Sequence, residues 1–415
     1  MVQLSLSSED RLLLYCSRLN ISKEIKYKIE KILNESLDWN YILECSVRQG
    51  ISPLFYWNLS KIGNGKDVPS EVMKSLQKTY YRNFARNMLL YDELSKVLMA
   101  FRGAGIDTIV LKGAFLAEGI YKNIGLRPMN DIDLLVKEKD LQKAKRELTK
   151  LMYFTPKIIF PTKLHEQFQM ACSNELPPFV HETRKICIEI HWDIQPPQSS
   201  YKVDINEFWN SAKSIKIDDI EALTFAPEDI LQHLCLHLHK HINSSSAPPA
   251  KPLRDYCDIA EVIKHYKETI NWESLIKSSN DHRIEEPIFQ GLYIANKYFE
   301  AFVPENVLQR LCVKSTIVFE KMFKIVIENN LNRKNQLDVI YYLTNLKLIN
   351  GTCNKVRIIF GDIFPSKEFM IYRYSIKDEK QVYKYYLIRL GTAVLWGLDA
   401  LWQFSRYFFK STLSK

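Results

Sequence analysis

Two carboxylates one residue apart precede a short apolar run in residues 126–140, LRPMNDIDLLVKEKD. On a β-strand, Asp131 and Asp133 would project from the same face, about 7 Å apart at their α-carbons. Two neighbouring carboxylates repel each other unless a cation lies between them. Mg²⁺ is a suitable cation, because it binds carboxylates together with substrate phosphates. The pattern therefore predicts a metal-binding strand, although an isolated D-x-D is also common on solvated surfaces.

A third carboxylate is available in residues 185–194, KICIEIHWDI, where apolar and polar side chains alternate. Alternation predicts a strand with one buried face and one polar face, and Glu189 lies on the polar face with His191 and Asp193. If this strand lies beside residues 131–136, Glu189 would complete a cage able to hold two metal ions. The alternative is that Glu189 is the solvent-facing residue of an edge strand. His191 either orients a carboxylate or forms a structural hydrogen bond, and Asp193 replaces Glu189 if the strand register differs by two.

The segment VLKGAFLAEG, residues 110–119, predicts a strand followed by a turn and a helix. A helix N-terminus offers free N–H groups to phosphates. Gly113 would let the backbone approach a phosphate closely, and Lys112 would neutralise its charge. Arg127, just before the acidic pair, is a second candidate for phosphate binding.

The segment HLCLHLHKH, residues 233–241, places His233, His237 and His241 at helical i, i+4 spacing. Two ligands on a helix are only half of a zinc site, and the sequence has no matching cluster nearby, so a packed helix with polar edges is favoured. A second interpretation is that His237, Lys240 or His241 faces the cleft and contacts a triphosphate.

The surrounding patterns predict an α+β protein in which a small mixed sheet is embedded in predominantly helical regions. Residues 1–103 form an N-terminal helical region that ends near Gly103 and Gly105. Residues 104–222 form the α/β domain that carries the acidic motifs, and residues 223–415 form a C-terminal helical region. Short strands are predicted at residues 106–113, 131–136 and 185–194.

The composition and charge of the chain indicate which classes of binding partner are compatible with it. The chain has 415 residues and a formal net charge of +9, which suits nucleotides, nucleic acid or an anionic membrane surface without choosing among them. No block of like charge predicts a specific nucleic-acid-binding tail. The eight cysteines contain no C-x-x-C pair, and no basic start precedes a long apolar run, so we expect a cytoplasmic protein. Charged residues interrupt the apolar residues 386–409, which predicts a terminal helix packed on the body, with membrane-surface contact as the alternative.

The order VLKG…RPMNDIDLLV…IEIHWD resembles the nucleotidyltransferase domain of the DNA polymerase β superfamily. Most of residues 40–390 resembles a family of uncharacterised bacterial nucleotidyltransferases, including ISPLFYWNL, TFAPEDILQHLCLHLHKH, LRDYCDIAEVI and IFPSKEFMIYRY. The resemblance implies that Asp131 and Asp133 bind metal, that Glu189 is the third acid, and that Lys112 and Gly113 occupy the phosphate-binding turn. The superfamily usually has Gly-Ser in this turn, whereas here lysine precedes the glycine and alanine follows it.

The resemblance implies an enzyme that transfers a nucleoside monophosphate from an NTP, expected to be ATP, to an acceptor hydroxyl and releases pyrophosphate. Two Mg²⁺ ions are expected, with Mn²⁺ as an alternative. The acceptor would be a small molecule, a peptide or a protein, and no specific nucleic acid is expected. Two other functions remain open: transfer of AMP to a protein, as in toxin–antitoxin pairs, and a degenerate nucleotide-binding scaffold.

Overall fold

The computed structural model describes residues 6–62, 68–156, 164–165, 172–197, 199–243, 251–312, 316–328, 352–374, 376 and 378–391. Up to the second acidic strand, the helices and strands are α1 (Ser8–Tyr15), α2 (Lys23–Leu33), α3 (Trp39–Arg48), α4 (Ser52–Lys61), α5 (Ser70–Gly103), β1 (Ile109–Val110), α6 (Lys112–Gly119), β2 (Asp131–Leu135), α7 (Leu141–Lys150), β3 (Tyr153–Phe154), β4 (Phe179–His181) and β5 (Cys187–His191). The later ones are α8 (Ile205–Ser211), β6 (Lys213–Ile217), β7 (Ile220–Thr224), α9 (Pro227–Asn243), α10 (Pro252–His265), α11 (Trp272–Asp281), α12 (Glu285–Phe299), α13 (Glu305–Leu311), α14 (Thr316–Ile327), α15 (Thr352–Ile363) and α16 (Lys367–Arg373).

The N-terminal helices begin and end where local chemistry dictates. The side chains of Ser7, Ser22 and Asp38 accept backbone N–H bonds at the starts of α1, α2 and α3, which satisfies donors that a helix leaves unpaired. Helix α5 ends at Gly103, and Gly105 has a φ of +69° that favours glycine. The predicted end of the long helix is confirmed.

A seven-stranded mixed sheet has the order β3-β4-β5-β2-β1-β7-β6. Strand β2 pairs in parallel with β5 and antiparallel with β1, while β1 pairs in parallel with β7. This mixed sheet among helices confirms the predicted α+β class. The sequence predicted the central strands β1, β2 and β5, whereas β3, β4, β6 and β7 were not recognised.

The register of the central strands determines which side chains meet. Asp133 is the direct partner of Glu189, and Asp131 is the partner of Cys187. On the other side of β2, the Leu111 amide donates to the Asp133 carbonyl at 3.1 Å. The turn at the end of β1 and the polar face of β5 therefore lie on opposite sides of Asp133.

The strands are shorter than the sequence patterns predicted. Strand β1 comprises only Ile109–Val110, because helix α6 already begins at Lys112. Strand β5 ends at His191, so Asp193 lies in the following turn and not on the strand. The predicted alternation nevertheless holds within β5, where Ile188 and Ile190 are fully buried.

One hydrophobic cluster contains residues of the sheet, of the helices that precede it and of the helices that follow it in the sequence. Phe55, Ile132 and Ile259 are examples. Strand β7 extends to Thr224, two residues past the expected end of the α/β domain. The division into three domains stays a prediction.

In the described part of the chain, no helix is long and apolar enough to cross a membrane. Most of residues 386–409, where a terminal helix is predicted, lies outside the described residues.

Candidate active site

Asp133 is the centre of a buried network of charged side chains. Its Oδ1 accepts from Lys112 Nζ at 3.1 Å and lies 3.0 Å from His191 Nε2. The Asp133 side chain is only 7% exposed, so these contacts are poorly screened by water. The D-x-D strand therefore presents one aspartate that contacts a side chain from β5 and another from the start of α6.

The three acids differ in how the surrounding protein shifts their pKa values. Burial alone would raise the pKa of Asp133, but Lys112 and His191 together hold it well below its usual range. Burial and the charge of Asp133 raise the pKa of Asp131. Burial, with Asp133 and Glu175 acting in the same direction, raises the pKa of Glu189 to about 8. The site thus contains one firmly ionised carboxylate beside two that gain from a bound cation.

Glu175 belongs to the site, although nothing in its local sequence indicated it. It forms an isolated β-bridge with His191, and its Oε2 lies 3.2 Å from His191 Nδ1. Both ring nitrogens of His191 consequently face a carboxylate. His191 is 4% exposed, so these contacts fix the orientation of its ring.

The turn between β1 and α6 positions Lys112. Lys112 has a φ of +42°, which is uncommon for a residue with a side chain and costs of order 1–3 kcal/mol. Burial opposes the charge of Lys112, but Asp133 and Glu189 raise its pKa, so the side chain is cationic beside the acids. Strain at this position is consistent with a functional role for the turn.

The lack of a side chain at Gly113 leaves room for the side chains of Arg127 and Met129. A Cβ atom at Gly113 would lie 2.7 Å from Arg127 Nη1 and 3.1 Å from Met129 Cγ. Gly113 has no left-handed backbone conformation, so the glycine is required by this close packing. The sequence predicted that Gly113 admits a phosphate; the described contact is with protein.

Arg127 connects the acidic loop to helix α10. Its Nε and Nη2 donate to the Asp258 carboxylate at 2.7–3.1 Å, and both side chains are nearly inaccessible to solvent. Tyr121 also donates to Asp258, at 2.8 Å. Most of the guanidinium that was predicted to bind phosphate therefore pairs with Asp258, while Nη1 approaches Gly113.

Helix α9 contributes histidines to the wall of the same cavity. Ring centroids lie 6.4 Å apart for His233 and His237, and 4.2 Å apart for His237 and His241. Burial lowers the pKa of His233 to about 3 and that of His237 well below its usual range, with the charge of Lys112 acting in the same direction. These two rings are neutral at physiological pH, as expected of packed histidines.

A cavity of about 300 Å³ opens on the three acids and on the histidines of α9. Cationic side chains enter it from three elements: Lys112 from α6, Lys240 from α9, and Lys251 and Arg254 from the start of α10. Desolvation by the surrounding protein lowers the pKa values of Lys240 and Lys251. The size falls at the lower end of small-molecule sites, about 300–1,000 Å³, and acids facing cations suit a metal-bound anion.

The donor atoms fit a divalent metal ion. Among the described residues, one ligand atom each from Asp133, Glu189 and His191 lies within 4.8 Å of the others. Asp131 is outside this group because the register places it beside Cys187, and its carboxylate lines the adjoining part of the cavity. The structure thus brings all three predicted acids to one cavity, with His191 closer to Asp133 than expected.

Asp193, the alternative third acid, accepts hydrogen bonds from backbone amides. Asp193 Oδ1 accepts from the amides of Ile194 and Gln195 at 2.6 and 3.1 Å. The register that would have made Asp193 the third acid does not occur, because Glu189 faces Asp133. Sequence reasoning missed Glu175, Lys251 and Arg254, which reach the cavity only through pairings and helix packing distant in the chain.

Comparison with known proteins relates the chain to a sequence family. Residues 35–300 match the model of a family described as uncharacterised nucleotidyltransferase. None of the curated proteins compared matches the chain.

Two solved structures are among those similar to this one. The antibiotic-resistance factor ANT(2'')-Ia is 10% identical, covers 52% of this chain and 98% of its own, and has a TM-score of 0.31. An antigenic nucleotidyltransferase-like protein from Paracoccidioides brasiliensis is 15% identical, covers 56% of this chain and 96% of its own, and has a TM-score of 0.32. Neither similarity bears on the chemistry of this chain.

The family model spans well over half of the 415 residues and includes β1, β2, β5 and the helices around the cavity. The chain therefore belongs to the family of uncharacterised nucleotidyltransferases.

Proposed function

We propose that the protein transfers a nucleoside monophosphate from an NTP, with ATP as the expected donor, to an acceptor hydroxyl in a Mg²⁺-dependent reaction. The observation that carries this proposal is the convergence of Asp131, Asp133 and Glu189 on a cavity that five basic residues also line. A triphosphate needs both features, because metal ions bridge its oxygens while lysine and arginine neutralise the rest of its charge.

The reaction forms a bond between the acceptor oxygen and the α-phosphorus and breaks the bond to pyrophosphate. The divalent ions would stabilise charge on the attacking and leaving oxygens. We assign Asp131 and Asp133 as ligands of the metal–nucleotide complex. Asp133 is the residue whose low pKa keeps it ionised, so it binds a cation without first losing a proton.

Glu189 completes the acidic set and takes the proton of the acceptor hydroxyl. A general base is most effective when its pKa lies near the working pH, and the pKa of Glu189 is raised to about 8. Binding of a cation beside it lowers that value, since a nearby positive charge favours the carboxylate. Glu189 is therefore ready to accept a proton once the substrate complex has formed.

Cationic residues hold the phosphates. We assign Lys112, Lys240, Lys251 and Arg254 to this role because each of these basic residues lines the cavity. Arg254 also donates to the neighbouring Asp255 at 2.7 and 3.0 Å. The free N–H groups at the start of α6, next to Gly113, add to the positive potential. Arg127 is given a positioning role, holding the loop before Asp131 through its pair with Asp258.

Calorimetric titration with ATP and Mg²⁺, combined with a pyrophosphate-release assay over a panel of hydroxyl-bearing acceptors, tests this proposal. We expect Asp131→Asn and Asp133→Asn to reduce release by about a hundredfold or more. Asp107→Asn is the matched control, since Asp107 is an exposed aspartate paired with Lys137 outside the cavity, and release should be unchanged.

Full turnover in both site variants would reject the assignment. Tight ATP binding without pyrophosphate release on any acceptor, including proteins, would contradict transfer and indicate a nucleotide-binding scaffold. Labelling of a protein acceptor in preference to small molecules would support transfer and identify the acceptor as a protein.

A further inference from the structure

His191 lies where a metal ligand would lie. Its Nε2 is 3.0 Å from Asp133 Oδ1 and 3.9 Å from Glu189 Oε2. Two atoms bound to one ion at about 2.1 Å are at most about 4.2 Å apart, and about 3.0 Å apart when they are adjacent ligands. Both distances satisfy this limit. All three ligand atoms lie within 4.8 Å of one another, so small movements of the carboxylates would let one ion contact all three side chains.

The opposite side of the ring has the partner that a metal-bound histidine requires. A ligating histidine usually donates its other ring N–H to a carboxylate, which fixes the tautomer and the ring orientation. Glu175 Oε2 is 3.2 Å from His191 Nδ1, and the β-bridge between the two residues holds their backbones together. In the tautomer that has Nδ1–H directed to Glu175, the Nε2 lone pair would face Asp133 and Glu189 and would be available to a metal ion.

The donor set also discriminates among metal ions. Carboxylate oxygens suit Mg²⁺, whereas an imidazole nitrogen suits first-row transition ions. Asp131 and the phosphates offer oxygen only, but the position between Asp133, Glu189 and His191 offers nitrogen and oxygen. The two parts of the cavity therefore favour different ions.

We propose that Asp133, Glu189 and His191 form a mixed nitrogen–oxygen site for a divalent transition-metal ion, with Glu175 as the residue that orients His191. The inference rests on the proposed function, because Asp133 would be shared with the Mg²⁺ that accompanies the nucleotide. It adds a ligand and an ion preference that the carboxylates alone do not supply. The alternative is a purely structural histidine that bridges Asp133 and Glu175 by hydrogen bonds.

The test uses Mn²⁺ as the probe and electron-spin-echo envelope modulation on the full-length protein without nucleotide. We expect bound Mn²⁺ to couple to a ¹⁴N nucleus in the native protein. In protein labelled with ¹⁵N-histidine, the pattern should change to that of ¹⁵N. This labelled sample needs no substitution, so it tests ligation even if a variant fails to fold.

Variants assign the nitrogen to a residue. His191→Gln should remove the coupling and weaken Mn²⁺ binding by about tenfold or more, while Mg²⁺ binding changes by less than about threefold. Glu175→Gln should keep the coupling and weaken Mn²⁺ binding by about tenfold, as expected of a partner outside the ligand set. The control is His265→Gln, an exposed histidine on α10 that does not line the cavity, which should change neither.

Mn²⁺ that binds native protein without histidine coupling, or coupling that persists in folded His191→Gln, would overturn the inference. Mg²⁺-dependent transfer in such a protein would leave the proposed function intact. Histidine-coupled Mn²⁺ in a protein that transfers no nucleotide would support the ligand assignment and contradict the proposed function.

Discussion

Asp133 links the two kinds of charge in the site, since Lys112 and His191 contact the same oxygen atom. Lys112 also lowers the pKa of Glu189, the partner of Asp133 across the strands, but burial and the neighbouring carboxylates outweigh it and raise that pKa to about 8. The contributions of Asp133 and Glu189 to the free energy of unfolding therefore change in opposite directions with pH. Asp133 stabilises the fold above the pKa of an unfolded aspartate, and this contribution is lost as pH falls. Glu189 disfavours the fold as pH rises from about 4.5 towards 8, because the folded state retains its proton more tightly.

The first prediction follows from the destabilising effect of ionised Glu189. Glu189→Gln removes a carboxylate from among like charges, so we expect unfolding free energy at pH 8.5 to rise by about 1–3 kcal/mol, less than the full pKa shift would give because the site relaxes. The difference should disappear near pH 4, where the carboxyl is protonated in both states. Urea unfolding of both proteins at the two pH values measures it. The same variant should lose nucleotide transfer by about a hundredfold or more, and a destabilised variant at pH 8.5 would contradict the electrostatic account.

A second prediction concerns Lys112. Lys112→Met retains most of the side-chain length but removes the cation that helps to keep Asp133 ionised. We expect unfolding free energy near pH 7 to fall by about 1–3 kcal/mol, because a buried charge loses a hydrogen-bonding partner. Thermal unfolding measures the change. Lys137→Met is the matched control, since Lys137 pairs with Asp107 at the surface, and its loss should cost less than about 1 kcal/mol. Equal losses in the two variants would show that Lys112 acts only as a surface cation would.

The site depends on how three short elements meet. Strands β2 and β5 were predictable because alternation and apolar runs are local patterns, and the expected meeting of Asp133 and Glu189 follows from their pairing. The exact register and the contact of Glu175 with His191 were not predictable, since pairing between distant segments leaves no local pattern. The pairing of Arg127 with Asp258 was not predictable for the same reason, because Asp258 lies 131 residues along the chain.

A third prediction belongs to the β1–α6 turn. Gly113→Ala would bring a methyl group to 2.7 Å from Arg127 Nη1, so either the arginine or the start of α6 must move. We expect nucleotide transfer to fall by about tenfold or more, since small displacements of positioned groups are costly in catalysis. Gly103→Ala is the matched control, because nothing lies within 4 Å of a Cβ there, and alanine favours the helix by up to about 1 kcal/mol. Steady-state kinetics and thermal unfolding of both variants measure the effects. Native kinetics in Gly113→Ala would show that the close packing is not required.

Across the whole molecule, the walls of the cavity come from the sheet and from helices α9 and α10. These two helices follow the sheet in the sequence. The buried pair between Arg127 and Asp258 joins these parts, with both side chains almost fully shielded from water. One continuous hydrophobic cluster accompanies it. The arrangement explains why the helical segments after residue 224 are needed to complete a site whose three predicted metal-binding acids come from the sheet.

A fourth prediction tests this joining contact. Asp258→Asn leaves the Arg127 charge buried without its carboxylate, so we expect a loss of about 3–5 kcal/mol in unfolding free energy. The matched control is Glu273→Gln, which neutralises one partner of the exposed pair between Arg310 and Glu273 and should cost less than about 1 kcal/mol. Denaturant unfolding of the two variants gives the comparison. A loss in Asp258→Asn no larger than in the control would mean that the buried pair does not hold the parts together.

The central claim is that this cavity transfers the nucleoside monophosphate part of an NTP. The most direct measurement incubates the protein with Mg²⁺ and the acceptor panel in parallel reactions that contain ATP labelled with ³²P at the α or the γ position. We predict labelled acceptor only from α-labelled ATP, release of the γ label as pyrophosphate, and loss of both signals in Asp133→Asn. Transfer of the γ label to the acceptor, or undiminished α-labelling by the Asp133→Asn protein, would contradict the account.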